Sequence, residues 1–288
     1  MKLVLGTVSF GIDKYSLLNA NKPDISEVFK MLDYVYSKRV EFIDTASAYG
    51  NAEDILGLYG ASKFKVTSKL KPNCLDGLVG RVSIHDMVKK ELQQDLARLK
   101  LNKIWGYYFH TPKYIYSQYA VDSLLECKAE GLVEKVGVSI YEPKDAVYAA
   151  SMKLDIIQVP YNILDQRLHK TDFFKIAKDN NVTVFGRQPF LKGLLVLPVD
   201  EIPPHLKLAI PYIQEIDRIR TRYDLTRQEI ALGFSVLSDV DYVVFGVDNF
   251  TQLVEDTQIY TRYHWFEELK SIFQDISDYV VMPSLWEK

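Results

Sequence analysis

Eight short apolar runs punctuate the chain, and between them apolar residues recur every three or four positions. The runs are LVLGTVSFG from Leu3, VEFIDT from Val40, FKVTSKL from Phe64, KIWGYYFH from Lys103, KVGVSI from Lys135, DIIQVPYN from Asp155, VTVFGR from Val182 and YVVFGV from Tyr242. Runs that are apolar at nearly every position suit parallel strands covered on both faces. The intervening segments read as helices. DISEVFKMLDYVYSKR opens on Asp24 as an N-cap, and SIHDMVKKELQQDLARLK opens on Ser83 and sets Ile84, Val88, Leu92, Leu96 and Leu99 along one face. AVDSLLECKAEG ends on Gly131, a suitable C-cap, and TDFFKIAKDNN and TRQEIALGFSVLS share the helical spacing.

Eight strands alternating with helices predict an α/β fold, a (β/α)8 TIM barrel, with residues 1–288 as a single domain. The alternative is a doubly wound sheet. It would usually bring a glycine-rich turn after an early strand, and neither G-x-G-x-x-G nor a Walker A pattern occurs. The chain starts directly at its first strand, so no hairpin plugging the barrel's bottom is expected. After the eighth unit, HWFEELKSIFQDIS from His264 predicts one further helix. DYVVMPSLWEK then forms a tail whose Met282 and Trp286 fold against the barrel, Trp286 as a packing residue.

Composition narrows the class. A hydrophobic fraction of 48% supports a large core, and a net charge of −3 offers no electrostatic case for nucleic acid or an anionic membrane. No apolar stretch is long enough to span a bilayer, and Gly6 and Gly11 break the N-terminal run that a signal peptide would need. Cys74 and Cys127 lie far apart and outside any C-x-x-C, which points to reduced thiols and a cytoplasmic location. No metal site is expected.

In a barrel of this kind chemistry gathers at the C-terminal ends of the strands. The second strand ends at Asp44, with Tyr49 in the loop beyond it. The third ends at Lys69 and the fourth at His110. The fifth ends near Ser139, the sixth carries Gln158 and Asn162, and the seventh ends at Arg187. A lysine is expensive at a dry strand end unless it is paired, and Asp44, one strand over, is its natural partner. A phenol beside that ammonium is expected to have a lowered pKa. Taken singly, Asp44 could cap a turn, Lys69 could snorkel to solvent and His110 could be a satisfied core imidazole. Four such residues at the ends of three adjacent strands make coincidence less probable.

These residues and their surroundings resemble the aldo-keto reductase family. LGTVSFG is similar to the family's first-strand motif. FIDTASAYGNAEDILG is similar to its second-strand signature, with Glu53, Leu56 and Gly57 in the expected places. VTSKL, LARLKLNKIWGYYFHTP, GLVEKVGVSIYEP, DIIQVPYNILDQR, FGRQPFLKGLL and VVFGVDNFTQLVED extend the resemblance over nearly the whole chain. It implies that Asp44, Tyr49, Lys69 and His110 form a catalytic tetrad. Tyr49 would donate a proton to a carbonyl oxygen while a nicotinamide hydride reaches the carbon. Lys69 would make Tyr49 a better acid, Asp44 would orient Lys69, and His110 would hold the carbonyl.

The resemblance also implies an extended nicotinamide dinucleotide and a small-molecule carbonyl substrate, and GVDNFTQ, which offers no Lys or Arg for a 2′-phosphate, predicts that NADPH and NADH are both used. Ser139 and Gln158 would hold the carboxamide, and Phe190, Lys192 and Gly193 would line the pyrophosphate. Gly6, Thr7, Arg187, Gly246, Val247, Asp248, Asn249, Gln252 and Asp256 complete the cofactor-binding set. Three positions depart from the family pattern. Ile140 stands where Asn is usual after Ser139, which puts one carboxamide hydrogen bond in doubt. Arg187 stands where an aromatic often stacks on the nicotinamide, and it is expected to turn toward the pyrophosphate or the substrate. Asp248 and Gln252 stand where many relatives carry residues that hold the 2′-phosphate. Within the family, QVPYNILDQR and FLKGLL look most like a bacterial subgroup associated with polysaccharide and sugar-nucleotide pathways. Two other functions remain open: a slow, nucleotide-sensing binding module, and a Schiff-base aldolase acting through Lys69. Neither the substrate nor the oligomeric state is legible.

Overall fold

Eight parallel strands close in chain order into a barrel. They are β1 (Leu3–Gly6), β2 (Phe42–Asp44), β3 (Lys65–Leu70), β4 (Ile104–Phe109), β5 (Val133–Ser139), β6 (Ile156–Pro160), β7 (Thr183–Arg187) and β8 (Tyr242–Gly246). Gly6 pairs with Asp44 on one side and with Gly246 on the other, which closes the ring. The computed structural model describes residues 2–18, 20–152, 154–259, 266–273 and 275–286. The helices are α1 (Val8–Gly11), α2 (Ile25–Ser37), α3 (Ala52–Tyr59), α4 (Arg81–Leu99), α5 (Gln118–Ala129), α6 (Pro143–Ser151), α7 (Phe173–Asp179), α8 (Ile210–Arg222), α9 (Arg227–Leu237), α10 (Phe250–Thr257), α11 (Phe266–Ile272) and α12 (Asp278–Val281). The (β/α)8 fold expected from the alternation is the fold observed.

Several boundaries follow local chemistry. Asp24 caps α2 by accepting from the Glu27 amide at 2.8 Å, and Thr226 and Glu229 form a reciprocal capping box on α9. Gly131 takes a φ of +78° just past α5, a conformation glycine adopts without strain. Ser83 does not open α4. It lies one turn inside, where its hydroxyl donates to the Val79 and Gly80 carbonyls, and Gly80 holds the cap position. The first strand is also shorter than its apolar run. Thr7 leaves the ladder because its amide and hydroxyl both donate to the Asp44 carbonyl, at 3.0 and 3.2 Å, and the chain then coils into α1.

Two helices separate β7 from β8. The first, α8, went unread in the sequence although it buries Ile213, Ile216 and Ile219 at three-residue spacing. The helix expected from His264 is partly realised as α11. His264 and Trp265 lie outside the described residues.

The strand pleat turns the barrel's inner face into two layers. Side chains two apart on a strand share a face. Val4, Phe42, Ile156, Phe185 and Val244 face inward and pack with Tyr108, Trp105 and Tyr242 into an aromatic-rich floor. Two positions further along the same strands stand Gly6, Asp44, Gln158, Arg187 and Gly246. The polar residues thus form the next layer up, at the C-terminal mouth.

Behind that mouth two loops touch backbone to backbone. A Cβ on Gly11 would sit 1.8 Å from the Tyr49 carbonyl oxygen, and one on Gly50 would sit 2.2 Å from the Gly11 carbonyl oxygen. Only hydrogens fit there. Gly11→Ala should therefore push the Tyr49 loop outward and lower stability by roughly 1–3 kcal/mol, the usual range for overpacking. Urea denaturation checks this, and a variant with the wild-type midpoint and slope would show that the loops are not held by this contact.

Candidate active site

Asp44 is the hub of the upper layer. Its Oδ2 accepts from Lys69 Nζ at 2.6 Å, and its Oδ1 accepts from Thr67 Oγ1 at 2.9 Å and Gln158 Nε2 at 2.8 Å. Lys69 donates a second bond to the Thr45 carbonyl at 3.0 Å. Both side chains are nearly sealed from water, at 1% and 4% exposure. Such a pair persists only because each charge has a counter-charge and further hydrogen bonds. Lys69 reaches the site from β3 on the same inward face as Thr67, as the pleat requires.

Tyr49 and His110 stand over this pair. Lys69 Nζ lies 5.2 Å from the centre of the Tyr49 ring, and the Tyr49 and His110 rings meet edge to face at 5.9 Å. Asp44, Tyr49 and His110 all line one cavity of about 490 Å³. Lys69 does not line it and acts from behind. An ammonium tied to Asp44 and Thr45 and kept out of the cavity is poorly placed to attack a carbonyl as a free amine.

The electrostatics differ from the expectation of an acidified phenol. Burial, and then the Asp44 carboxylate, push the Tyr49 hydroxyl well above its ordinary value. The cation that opposes them is the Arg187 guanidinium. Burial, with Lys69 and Arg187 nearby, lowers His110 to about 3, so its imidazole is neutral at ordinary pH. Its Nδ1 is buried without a hydrogen-bond partner.

The remaining residues named from sequence divide into two ends of the same cavity. Gly6, Thr7, Ser139, Gln158 and Arg187 line the end near Tyr49. Phe190, Lys192 and Gly193, then Gly246, Asp248, Gln252 and Asp256, line the rest. Two do not reach it. Val247 is buried and its carbonyl accepts from Ser9 Oγ at 2.5 Å, while the Asn249 side chain caps α10 by accepting from the Gln252 amide at 3.0 Å. Gln158 spends its amide on Asp44, and Ile140 turns its side chain into the core. Arg187 takes up the Ile140 carbonyl instead, at 2.9 Å, and its guanidinium lies 4.8 Å from the Tyr141 ring centre. It lines the cavity at the Tyr49 end.

Sequence reading missed Tyr15, Ser16, Tyr141, Arg167 and the tail residues Val281 to Ser284, which also line the cavity. Tyr15–Leu18 forms a bridge across it. Ser16 Oγ donates to Asp248 at 3.2 Å, the Leu17 amide donates to the Lys192 carbonyl at 2.9 Å, and Lys192 Nζ lies 4.7 Å from the Tyr15 ring centre. Met282 was expected to fold against the barrel, and it does so as part of the cavity wall, touching Arg167 at 3.3 Å. Trp286 is a packing residue whose indole donates to the Tyr279 carbonyl.

The cavity fits an elongated dinucleotide. A Cβ on Gly246 would meet nothing within 4 Å, so the backbone there is bare toward the cavity, and Ser139 and Gln158 line the other end. Among the described residues no helix is long and apolar enough to cross a membrane.

Comparison with known proteins follows the same line. The sequence model described as "Aldo/keto reductase family" matches residues 2–265. The aldo-keto reductase str7 of Strobilurus tenacellus is 24% identical over 253 residues, covering 76% of this chain and 71% of that protein. The holo form of the aldo-keto reductase AKR11C1 from Bacillus halodurans superposes with a TM-score of 0.74 at 18% identity, covering 99% of this chain and 95% of that one. PA4992 from Pseudomonas aeruginosa superposes with a TM-score of 0.66 at 18% identity, covering 90% of this chain and 88% of that one.

Asp256 offers a pH test of the nucleotide-free cavity. Its side chain is 3% exposed and has no hydrogen bond among the described residues; burial, and then Glu255, raise it to about 8. Between its unfolded value of about 4 and this folded value, the folded state holds one proton more than the unfolded state. Stability therefore falls as pH rises through that window, and the loss is complete above it. Asp256→Asn should raise the melting temperature at pH 9 and leave it nearly unchanged at pH 4.5. An equal shift at both pH values would contradict a neutral buried carboxyl.

Proposed function

The chain belongs to the aldo/keto reductase family, and on that premise we propose that it reduces a small-molecule aldehyde or ketone to the alcohol with a nicotinamide dinucleotide, Tyr49 being the proton donor. The observation that carries the reading is the placing of Tyr49 and His110 together on one cavity wall, over the sealed Asp44–Lys69 pair. The chemistry such a cofactor supplies when bound is a hydride for the carbonyl carbon.

The protein's own groups supply the rest. Tyr49 holds its proton at neutral pH because burial and Asp44 oppose its ionisation. That proton is therefore available to a carbonyl oxygen that gains negative charge. Neutral His110 donates a hydrogen bond from one ring nitrogen to the same oxygen and fixes its approach. As Tyr49 becomes phenolate, the Arg187 cation stabilises it, while Asp44 and Thr45 hold the Lys69 ammonium in place 5.2 Å from the ring centre. Ser139 and Gln158 are the residues that would hold the carboxamide. Gly246, whose bare backbone faces the cavity, would admit the phosphates.

Tyr49→Phe should cut the reduction rate by at least about 10²-fold while leaving cofactor affinity nearly intact. The measurement is a screen of NADPH and NADH oxidation against aldehydes, ketones and keto-sugars. Near-normal turnover by the Phe variant ends the assignment. Uniformly slow wild-type turnover with tight cofactor binding would favour the nucleotide-sensing module.

We also propose dual cofactor use. The stretch from Gly246 to Ile259 contains no Lys or Arg, and Asp248 and Glu255 bring acidic side chains to that part of the cavity. A 2′-phosphate there would gain few charge-assisted hydrogen bonds, each worth roughly 1.5–3 kcal/mol, and would meet repulsion. NADH affinity should lie within about tenfold of that for NADPH, a gap below roughly 1.4 kcal/mol. Asp248→Ser with Gln252→Arg should shift the balance to NADPH. Titration by tryptophan fluorescence decides the matter, and NADPH binding about a thousandfold tighter, roughly 4 kcal/mol, would overturn it.

A further inference from the structure

The Tyr49 end of the cavity holds one cation that makes no ion pair among the described residues; the buried Asp165 carboxylate feels its charge but is bound to Arg167. Asp44 and Lys69 neutralise each other at 2.6 Å. Arg167, the other arginine in the lining, grips Asp165 through two bonds at 2.9 and 3.0 Å and reaches Asp278 at 3.1 Å. Arg187 has no ion-pair partner among the described residues. The Ile140 carbonyl holds its Nη2 at 2.9 Å, the Tyr141 ring lies 4.8 Å beneath the guanidinium carbon, and Nε is buried without a partner. A backbone carbonyl and a ring therefore set the plane of the guanidinium and leave its charge unspent. A partly desolvated cation in that condition is costly unless an anion joins it.

The position indicates which anion. Arg187 pairs with Val244 in the barrel, two residues below Gly246, so its side chain starts deeper than the segment that opens α10. Its charge is felt at Tyr49, His110 and Tyr15. The cavity is thus polarised, with acidic side chains toward α10 and, beside the proton donor, a guanidinium that makes no ion pair among the described residues.

We propose that Arg187 is a specificity-determining residue that takes an anionic group of the carbonyl substrate, so that oxo acids or phosphorylated carbonyl compounds are preferred. The proposal rests on the reductase reading of the same site. A guanidinium with a fixed plane and free N–H groups suits the two oxygens of a carboxylate or phosphate. The cofactor's pyrophosphate offers the same chemistry, and the experiment separates the two sources.

The test compares 4-carboxybenzaldehyde with the neutral 4-methylbenzaldehyde, using wild type, Arg187→Met and Arg187→Lys. One or two charge-assisted hydrogen bonds predict a wild-type kcat/KM at least about tenfold higher for the acid. That ratio should fall to about one in Arg187→Met, mainly through KM, and recover in part in Arg187→Lys. Equal use of the two aldehydes by wild type, or a ratio unchanged in Arg187→Met, overturns the proposal. So does a tenfold loss of dinucleotide affinity with the ratio intact, which would assign Arg187 to the pyrophosphate. A binding arm needs no turnover. 4-Methylbenzoate should raise the melting temperature of nucleotide-free wild type more than 4-methylbenzamide does, and this difference should vanish in Arg187→Met. No reduction of either aldehyde with that difference present overturns the reductase reading and supports the anion site. Reduction without preference and without the difference overturns the anion site alone.

Discussion

A lysine ammonium closed off from water constrains everything around it. Lys69 can remain charged at 1% exposure only because Asp44 stands at 2.6 Å and the Thr45 carbonyl at 3.0 Å. Asp44 in turn needs Thr67 and Gln158 to satisfy its other oxygen. Replacing such a pair by apolar residues is often neutral, but removing one partner typically costs roughly 3–5 kcal/mol. The four side chains come from β2, β3 and β6, so the charge pair also fixes the relative heights of these strands at the mouth. Stability and chemistry share the same bonds there.

The backbone supplies a second constraint. Tyr49 stands in a loop whose carbonyl nearly touches Gly11, and the α1 turn that carries Gly11 begins where Thr7 bonds to the Asp44 carbonyl. Tyr49 is thus positioned from both sides of β2, by the strand that ends at Asp44 and by the turn that follows β1. Ser9, bonded to the Val247 carbonyl, ties the same turn to the end of β8. The Tyr49 backbone therefore has little room to move.

Electrostatically the cavity has two ends. Acidic side chains gather near α10, and one of them, Asp256, is raised to about 8 by burial and Glu255. The other end carries Arg187, stacked on Tyr141. Burial raises Tyr49 and lowers His110, so both sit in their neutral forms with protons to donate.

Much of this was legible along the chain. Eight apolar runs alternating with amphipathic segments specify a barrel, because strands buried on both faces need apolar residues at nearly every position. Asp44, Lys69 and His110 were visible as polar groups at the ends of such runs, and Tyr49 by its place beyond Asp44. Glycine and threonine marked their turns and caps wherever the reason was local, as at Gly131 and Thr226. What the chain alone did not reveal depends on closure. Tyr15, Tyr141, Arg167 and Met282 lie far apart in sequence, and although Tyr141 and Arg167 fall within family-like stretches, nothing along the chain marks the four as lining one cavity. Asn249 resembled a ligand residue but caps a helix, and Lys69 resembled the cation that would acidify Tyr49 but is already spent on Asp44. Periodicity reports which face of a segment is buried. Only the assembled barrel decides which charges meet there and which one, at Arg187, is left without a partner among the described residues.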